Sequence, residues 1–326
     1  METLPSARAF WIVEPGRGEI RDEPIRRPGP QELLIRTEFT AISRGTESLV
    51  FNGRVPASEY ARMRAPFQAG EFPAPVKYGY CSVGVVAGGE PGWQGVRIFA
   101  LYPHQTSYVI PVSAANAVPH DVPTGRAVLA ANMETALNGC WDADPKETDR
   151  VTVIGAGTVG CLVAWVIRKT VACSVELVDV NPQRAAVAEK IGVRFVPVES
   201  ATTERTVVVH TSGTEAGLRT ALDLAAADGT IVEMSWFGDR LVTLPLGGAF
   251  HSRRLTIKCS QVGALPPARR GEWDFTRRMA RALDLLKDAS LDALITGESR
   301  FQELPAVMAQ LAQAPGNTLT HRIRYD

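Results

Sequence analysis

The hydrophobic and polar positions along this chain change their period near residue 124. Before that point, short apolar runs alternate with Pro and Gly turns, which is typical of a compact β-rich domain. The runs cover residues 9–13, 32–39, 83–87, 96–100 and 108–112. After that point, strand-like and helix-like segments alternate, and this alternation predicts a parallel sheet covered by helices. We therefore expect an α/β fold in which a β-rich part precedes a doubly wound parallel sheet.

Several elements of the second part can be assigned individually. Residues 158–168 are apolar nearly all round, as in a helix that packs on a sheet and is largely buried. Asn181 as N-cap and Pro182 at the first helical position begin the next helix, and Gly192 ends it. Predicted strands cover residues 151–154, 174–178, 206–210, 230–234 and 255–262.

Apolar residues at helical spacing predict three more helices, and we assign their stripes to the hydrophobic core. The stripes are Leu218, Ala221, Leu222 and Ala225; Phe275, Met279, Ala282, Leu283 and Leu286; and Leu304, Val307, Met308 and Leu311.

The string GAGTVG at residues 155–160 lies between a predicted strand and a predicted helix. In this context Gly155 permits the tight turn, Gly157 lets the backbone approach a pyrophosphate, and Gly160 lets the helix pack closely on the sheet. The helix N-terminus, at Thr158 and Val159, would then bind the pyrophosphate. The pattern predicts a dinucleotide site; the alternative is a surface turn.

Asp179 ends the next strand, about 20 residues after the glycine turn, where a carboxylate binds the adenosine ribose. Because a carboxylate repels a ribose phosphate, we predict NAD rather than NADP as cofactor. The alternative is an acid that merely ends a strand.

Composition narrows the choice of partners. The chain has 326 residues, enough for two domains, and 35 Lys and Arg balance 35 Asp and Glu. This balance favours a small-molecule substrate and neither nucleic acid nor a membrane. The first residues lack a signal-peptide layout, and the longest apolar stretch is too short to cross a bilayer, so we expect a cytoplasmic protein. The five cysteines form no CxxC pair, so we expect reduced, mostly buried thiols and no metal.

These features resemble the medium-chain dehydrogenase/reductase family, whose members are alcohol dehydrogenase-like, over essentially the whole chain. The resemblance is carried by the segments 42–53 (ISRGTESLVFNG), 75–86 (PVKYGYCSVGVV), 155–160 with 178–181 (GAGTVG, VDVN) and 294–311. It implies a GroES-like domain over residues 1–123, a Rossmann domain that binds NAD over 124–289, and a C-terminal return over 290–326. The run SRGTESLVFNGRVP is also similar to that of bacteriochlorophyllide dehydrogenases.

Many members of this family hold a catalytic zinc ion, and the corresponding positions differ here. Arg44 or Ser43 stands at the position of the cysteine ligand, Tyr80 at that of the histidine, and Ala131 at that of the third ligand. Cys81 stands where the family has a glutamate, and a four-cysteine structural zinc lobe is absent from the sequence. The resemblance therefore implies a zinc-independent member.

Without zinc, other groups must handle the proton or the developing oxyanion. The resemblance aligns Thr46 with a hydroxyl residue that relays a proton. Tyr80 would supply a phenol, Arg44 a positive charge, and Glu47 would orient either Arg44 or Tyr80. Alternatively, Thr46 caps a turn, Tyr80 fills the vacated site, and Arg44 forms a structural ion pair with Glu47.

Further cofactor contacts are implied by the resemblance and by the ends of the predicted strands, because ligands bind at the carboxyl ends of parallel strands. Val180 and Arg184 would lie beside the adenosine ribose, and Thr135 beside the nicotinamide. The strand ends would contribute Thr211, Ser212, Gly213, Trp236 and Phe237. Trp236 and Phe237 could equally be core aromatics.

The sequence thus predicts an NAD-dependent, zinc-independent oxidoreductase that transfers a hydride between nicotinamide and an alcohol or carbonyl substrate. Two alternatives stay open: a quinone or enoyl reductase, which NADPH preference would favour, and a dinucleotide-binding protein without catalysis. The resemblance also implies a homodimer that pairs the last strand of the nucleotide-binding sheet, at residues 255–262.

Overall fold

The computed structural model describes residues 6–326. The chain folds into two compact units. The first unit comprises the chain up to Ala131 together with Leu283–Lys287 and Ile295–Asp326, and the second comprises Asn132–Ala282 and Asp288–Leu294.

The strands and helices follow one another along the chain in a β-rich series and then an alternating series. They are β1 Ser6–Glu14, β2 Arg17–Pro24, β3 Glu32–Ile42, α1 Arg44–Phe51, β4 Ala69–Gly70, β5 Val76–Lys77, β6 Ser82–Gly89, β7 Arg97–Ala100, β8 Ser107–Pro111, β9 Asn116–Ala117, α2 Thr124–Ala127, α3 Ala130–Ala143, β10 Arg150–Ile154, α4 Thr158–Thr170, β11 Ser174–Asp179, α5 Arg184–Lys190, β12 Arg194–Pro197, β13 Arg205–His210, α6 Glu215–Leu224, β14 Ala225–Glu233, β15 Thr256–Cys259, α7 Phe275–Leu285, β16 Ile295–Arg300, α8 Leu304–Gln313 and β17 Thr320–Arg324.

The first unit is built from two sheets. One has the strand order β2-β1-β5-β4, and the other has the order β16-β17-β3-β6-β7-β9, with β8 also paired to β3. Apart from the parallel pair β16 and β17, the strands pair antiparallel. Apolar side chains of β3, β7 and β8, among them Ile35, Ile98 and Ile110, form a buried cluster. The strands predicted for this part are present, with ends that differ by a few residues.

Helix α1 was not anticipated from the sequence. Its buried side chains are Glu47, Val50 and Phe51, so a charged residue interrupts the apolar stripe that would otherwise indicate a helix. The buried carboxylate is therefore the feature of this helix that needs an explanation, because a buried charge must be paired.

The second unit contains a six-stranded parallel sheet with the order β12-β11-β10-β13-β14-β15. The strand order reverses between β10 and β13, because β11 and β12 follow β10 on one side and β13 to β15 lie on the other. This is the arrangement of a Rossmann fold, in which ligands bind at the carboxyl ends of these strands. The predicted α/β fold with a doubly wound sheet is confirmed.

Three sequence-based details were wrong. Helix α5 begins at Arg184 rather than Pro182, because the Asn181 side chain accepts a hydrogen bond from the N–H of Gln183 and forms a turn there (3.0 Å). Phe275 is 53% exposed, whereas Met279 is buried as expected. Strand β15 ends at Cys259, earlier than predicted.

Most of the cysteines are buried, as expected. Cys81, Cys140 and Cys161 are buried, Cys173 is half-buried, and Cys259 is exposed. Within residues 6–326, no helix is long and apolar enough to cross a membrane.

Candidate functional site

The glycine turn after β10 has a backbone that requires glycine. Gly155 adopts a φ of +103°, and a Cβ at this position would lie 2.6 Å from the backbone nitrogen of Ser212. Its own N–H donates to the carbonyl of Val178 at 2.8 Å. A Cβ on Gly160 would overlap the carbonyl oxygen of Gly155. The turn, the start of α4 and the end of β13 are therefore packed as closely as the backbone allows.

Gly157 differs from its neighbours because the space beside it is open. It caps α4 with an ordinary φ of −75°, and a Cβ built there meets no atom within 4 Å. The next residues, Thr158 and Val159, begin the helix, and the N-terminal end of a helix carries partial positive charge. An accessible backbone at such a helix end fits a pyrophosphate.

Asp179 is fixed beside this turn. Its Oδ2 accepts a hydrogen bond from the N–H of Ala156 at 2.6 Å, and its Oδ1 accepts one from the N–H of Asn181 at 2.8 Å. A carboxylate oxygen can accept more than one hydrogen bond, so both oxygens keep capacity for ribose hydroxyls.

Two residues that follow Asp179 differ in their exposure to solvent. Val180 is 85% exposed, whereas Arg184 is buried. Burial raises the pKa of Cys161 to about 12, and the nearby positive charge of Arg184 opposes that rise. Arg184 thus lies against the interior beside α4.

The carboxyl end of β13 is hydrogen-bonded to the glycine turn. The hydroxyl of Thr211 donates to the carbonyl oxygens of Ile154 (3.0 Å) and Gly155 (2.9 Å). Gly213 follows with a φ of +66°, and its N–H donates to the hydroxyl of Ser235 at 3.1 Å. Of the residues predicted to contact the nicotinamide half, Thr211, Ser212 and Gly213 therefore lie beside the turn.

His210 and Glu233 form a polar network here that sequence reasoning missed. His210 is fully buried, with Nδ1 2.6 Å from Glu233 Oε2 and Nε2 2.6 Å from Ser212 Oγ. Glu233 Oε1 also accepts the N–H of Ser235 at 2.6 Å. His210 and Glu233 are paired in register on the parallel strands β13 and β14. That register is the signal that could have found the pair.

The remaining residues predicted to contact the cofactor are Phe237, Trp236 and Thr135. The ring of Phe237 stacks on His210, with centroids 6.3 Å apart, and packs against the core of the second unit. The core interpretation therefore applies to Phe237. Trp236 and Thr135 are half-buried.

In the first unit, the polar residues predicted for catalysis surround the start of α1. Glu47 is only 2% exposed. Its Oε1 accepts the N–H of Ser43 at 2.7 Å, and its Oε2 lies 2.9 Å from Nε2 of His104. Nδ1 of His104 lies 2.7 Å from the hydroxyl of Thr40. We expected Glu47 to orient Arg44 or Tyr80; its oxygens instead bond Ser43 and His104, because α1 turns the carboxylate inward.

Tyr80 is connected to this group through Ser43. Burial raises the pKa of the Tyr80 phenol well above its usual value, and a hydrogen bond with the Ser43 side chain opposes that rise. The ring of Tyr78 meets that of Tyr80 edge-on, with centroids 6.0 Å apart. Tyr80 therefore stays protonated at neutral pH and can donate a hydrogen bond.

Arg44 and Thr46 occupy the first turn of α1. Both are half-buried, and Nη1 of Arg44 donates to the carbonyl of Thr318 at 3.0 Å. That contact ties Arg44 to the segment before β17.

The donors in this region do not suit a zinc ion. Within residues 6–326, no three His, Cys, Asp or Glu side chains converge as a metal site requires. Zinc binds a thiolate or a free imidazole nitrogen. Burial and then the charge of Glu47 raise the pKa of Cys81 well above its usual value, and both ring nitrogens of His104 have hydrogen-bond partners.

Comparison with known proteins agrees with this fold. No protein-family model matches the chain. The chain is 25% identical to an alcohol dehydrogenase of Cupriavidus necator, over 92% of this chain and 93% of that protein. It is 27% identical to an L-threonine 3-dehydrogenase of Deinococcus radiodurans over 57% of this chain and 60% of that protein. It is 24% identical to an uncharacterized zinc-type alcohol dehydrogenase-like protein of Haemophilus influenzae over 64% of this chain and 61% of that protein.

Two solved structures carry the same fold with a cofactor bound. A zinc-binding dehydrogenase from Sinorhizobium meliloti bound to NADP has a TM-score of 0.78 at 19% identity, covering 98% of this chain and 99% of its own. A structure described as a short chain alcohol dehydrogenase from Escherichia coli CFT073, complexed with NADH, has a TM-score of 0.77 at 17% identity, covering 98% of this chain and 99% of its own.

The chain therefore shares its fold with these two dehydrogenase structures. In sequence the chain is similar to alcohol and threonine dehydrogenases.

Proposed function

We propose that this protein is an NAD-dependent, zinc-independent oxidoreductase acting on an alcohol or carbonyl substrate. The observation that carries the proposal is the glycine turn, in which Gly157 leaves open space at the start of α4 while Asp179 is fixed beside it. A nicotinamide dinucleotide bound there supplies the hydride acceptor or donor. The similarity to alcohol and threonine dehydrogenases favours an alcohol and carbonyl pair over a carbon–carbon double bond.

The preference for NAD follows from Asp179. Its carboxylate suits ribose hydroxyls and repels a phosphate on the same ribose. Arg184, the basic residue nearest along the chain to this position, is buried. Because the similar structures hold NADP in one case and NADH in another, this preference depends on the residues of this chain.

Proton handling is assigned to the start of α1. Tyr80, held protonated by burial, donates a hydrogen bond or a proton to the substrate oxygen. Ser43 positions the Tyr80 hydroxyl, and Glu47 fixes the backbone of Ser43. Thr46 and Arg44, both half-buried in the same turn, contribute a hydroxyl and a positive charge.

Zinc independence is proposed from the same residues. Arg44, Tyr80 and Ala131 are not zinc ligands of the usual kinds, and within residues 6–326 no three His, Cys, Asp or Glu side chains lie together as a zinc site requires. Metal analysis of the purified protein should find far less than one zinc ion per chain. Firmly bound zinc in a one-to-one ratio would contradict this part of the proposal.

The cofactor assignment is tested by fluorescence titration with NADH and NADPH. We expect NADH to bind about tenfold or more tightly than NADPH, and Asp179→Asn to reduce that ratio about tenfold by removing the repulsive charge. Glu199→Gln, which removes an exposed carboxylate after the neighbouring strand β12, is the matched control. Tighter binding of NADPH than of NADH to the unmodified protein would overturn the NAD assignment and favour a double-bond reductase. If neither nucleotide binds, the proposed oxidoreductase function is wrong.

We also propose a homodimer that pairs β15 of two chains. This strand is the last in the sheet order, and within the described residues it pairs with β14 on one side only. Such an edge offers backbone groups to a second chain. Light scattering after size exclusion should give the mass of two chains; a monomer at micromolar concentration would contradict the proposal.

A further inference from the structure

A cavity lies within the second unit, away from the glycine turn. Its volume is about 230 Å³. It is lined by the end of α3 and the following loop, by the end of α4, and by the segment from Arg269 to Arg281. Its volume is smaller than the roughly 300–1,000 Å³ typical of pockets that hold drug-sized ligands, so it suits a molecule of one or two rings.

Two indole rings form one wall of this cavity. The ring centroids of Trp141 and Trp273 are 4.7 Å apart, and the ring planes are inclined at 49°. Both side chains are half-buried, so each presents part of its ring to the cavity. Aromatic rings favour offset or edge-on contact with another planar ring, and this wall therefore suits an aromatic ligand.

The charged residues at the cavity favour an anion. Arg269 and Arg281 both line it, and the Arg269 guanidinium lies over the ring of Trp141, 5.8 Å from its centroid. The acid among the lining residues, Asp144, has its carboxylate 2.6 Å from Nζ of Lys146. A guanidinium binds a carboxylate through paired hydrogen bonds, so the cationic side of the cavity suits a carboxylate.

The inner surface of the cavity, formed by Cys140 and Leu137, carries no charge. Burial raises the pKa of Cys140 to about 12, and a hydrogen bond with Thr170 and the charge of Arg269 oppose that rise. The thiol is therefore protonated at neutral pH and is a poor nucleophile. Leu137 also lines the cavity. An apolar ring can lie against this surface while its carboxylate stays near the arginines.

The cavity and the glycine turn lie at opposite ends of α4. Gly157 precedes the helix, and Thr170, a lining residue of the cavity, ends it. A helix of 13 residues rises about 20 Å. A ligand in the cavity therefore does not compete for the space beside Gly157.

We propose that this cavity is a binding site for a small aromatic carboxylate, with its ring against Trp141 and Trp273 and its carboxylate at Arg269. The site is separate from the dinucleotide turn, and its occupation does not depend on the proposed oxidoreductase activity.

The test is calorimetric titration of the full chain, saturated with NADH, with 2-naphthoate. We expect binding of a single molecule per chain, and about tenfold weaker binding for 2-naphthamide, which has the same rings without the charge. Arg269→Gln should weaken naphthoate binding about tenfold, and Trp273→Leu should do so by removing the ring wall.

Arg270→Gln is the matched control, because Arg270 is adjacent and exposed but does not line the cavity. It should leave naphthoate affinity within about twofold of the unmodified protein. Equal losses in Arg269→Gln and Arg270→Gln would indicate unspecific attraction and overturn the proposal. If Arg269→Gln binds naphthoate as tightly as the unmodified protein, the naphthoate binds elsewhere and the proposal is wrong. The proposal is also wrong if the unmodified protein does not bind naphthoate at millimolar concentration. If Trp273→Leu fails to fold, Arg269→Gln and the amide comparison decide alone.

Discussion

The carboxylate of Glu47 lies 2.9 Å from Nε2 of His104, and both side chains are buried. The second carboxylate oxygen holds the backbone of Ser43, and the second ring nitrogen lies against Thr40. A buried carboxylate is tolerated when its oxygens are hydrogen-bonded, and each oxygen of Glu47 has a hydrogen-bond partner. This pair therefore fixes the start of α1, from which Arg44 and Thr46 are presented.

Removing one member of the pair should destabilise the first unit strongly. We expect Glu47→Ala to lower the free energy of unfolding by about 3 kcal/mol, because it leaves the buried His104 ring and the Ser43 N–H without their acceptor. Glu47→Gln keeps an acceptor and should cost less. Urea unfolding measures both, and an effect of Glu47→Ala within error of zero would show that the pair carries no stability.

Loss of the Tyr80 hydroxyl should slow the reaction without affecting the cofactor. Tyr80→Phe removes a protonated phenol, and loss of a positioned proton donor costs about 100-fold or more in rate. We expect that decrease in kcat with the best alcohol found in a substrate screen, while the Kd for NADH is unchanged. Tyr102→Phe, a change of the same size at another half-buried ring, serves as control. Full activity of Tyr80→Phe would contradict this role and assign the proton to the Thr46 hydroxyl.

Gly157 should tolerate alanine in the fold but not in cofactor binding. A Cβ there meets no protein atom and the φ is ordinary, so Gly157→Ala should change the free energy of unfolding by less than about 1 kcal/mol. The same Cβ stands where a pyrophosphate approaches the backbone, so the Kd for NADH should rise about tenfold or more. Thermal unfolding and fluorescence titration report the two effects separately, and unchanged NADH affinity would place the pyrophosphate elsewhere.

Buried tyrosines should make the protein lose stability in alkali. Burial raises the pKa of Tyr78 and of Tyr108 above the usual value of about 10. Above that pH the unfolded chain has released these protons while the folded chain retains them, so the stability present below pH 10 is lost as pH rises.

Each such tyrosine contributes a slope of up to about 1.4 kcal/mol per pH unit. Urea unfolding between about pH 9 and pH 11 measures the loss, and Tyr108→Phe should reduce its slope. A slope that Tyr108→Phe leaves unchanged would assign the alkaline loss to other groups.

The sequence by itself determined the second unit and its glycine turn. The turn, the alternating elements and Asp179 all lie within one short stretch, and their roles depend on backbone geometry that local residues dictate. The prediction that Thr211, Ser212 and Gly213 face the cofactor rested on the rule that ligands bind at the carboxyl ends of parallel strands. The positions of residues that obey such rules can be predicted from the sequence alone.

Only the tertiary structure decided which polar side chains meet. Glu47 and His104 are 57 positions apart, and His210 and Glu233 are 23 apart. Neither spacing follows from a helical or strand period. Strand register and the inward turn of α1 bring these groups together, so the local sequence pattern could not predict the partner of Glu47. The cavity at Trp141 and Trp273 has the same origin, because its walls come from three separate stretches of chain.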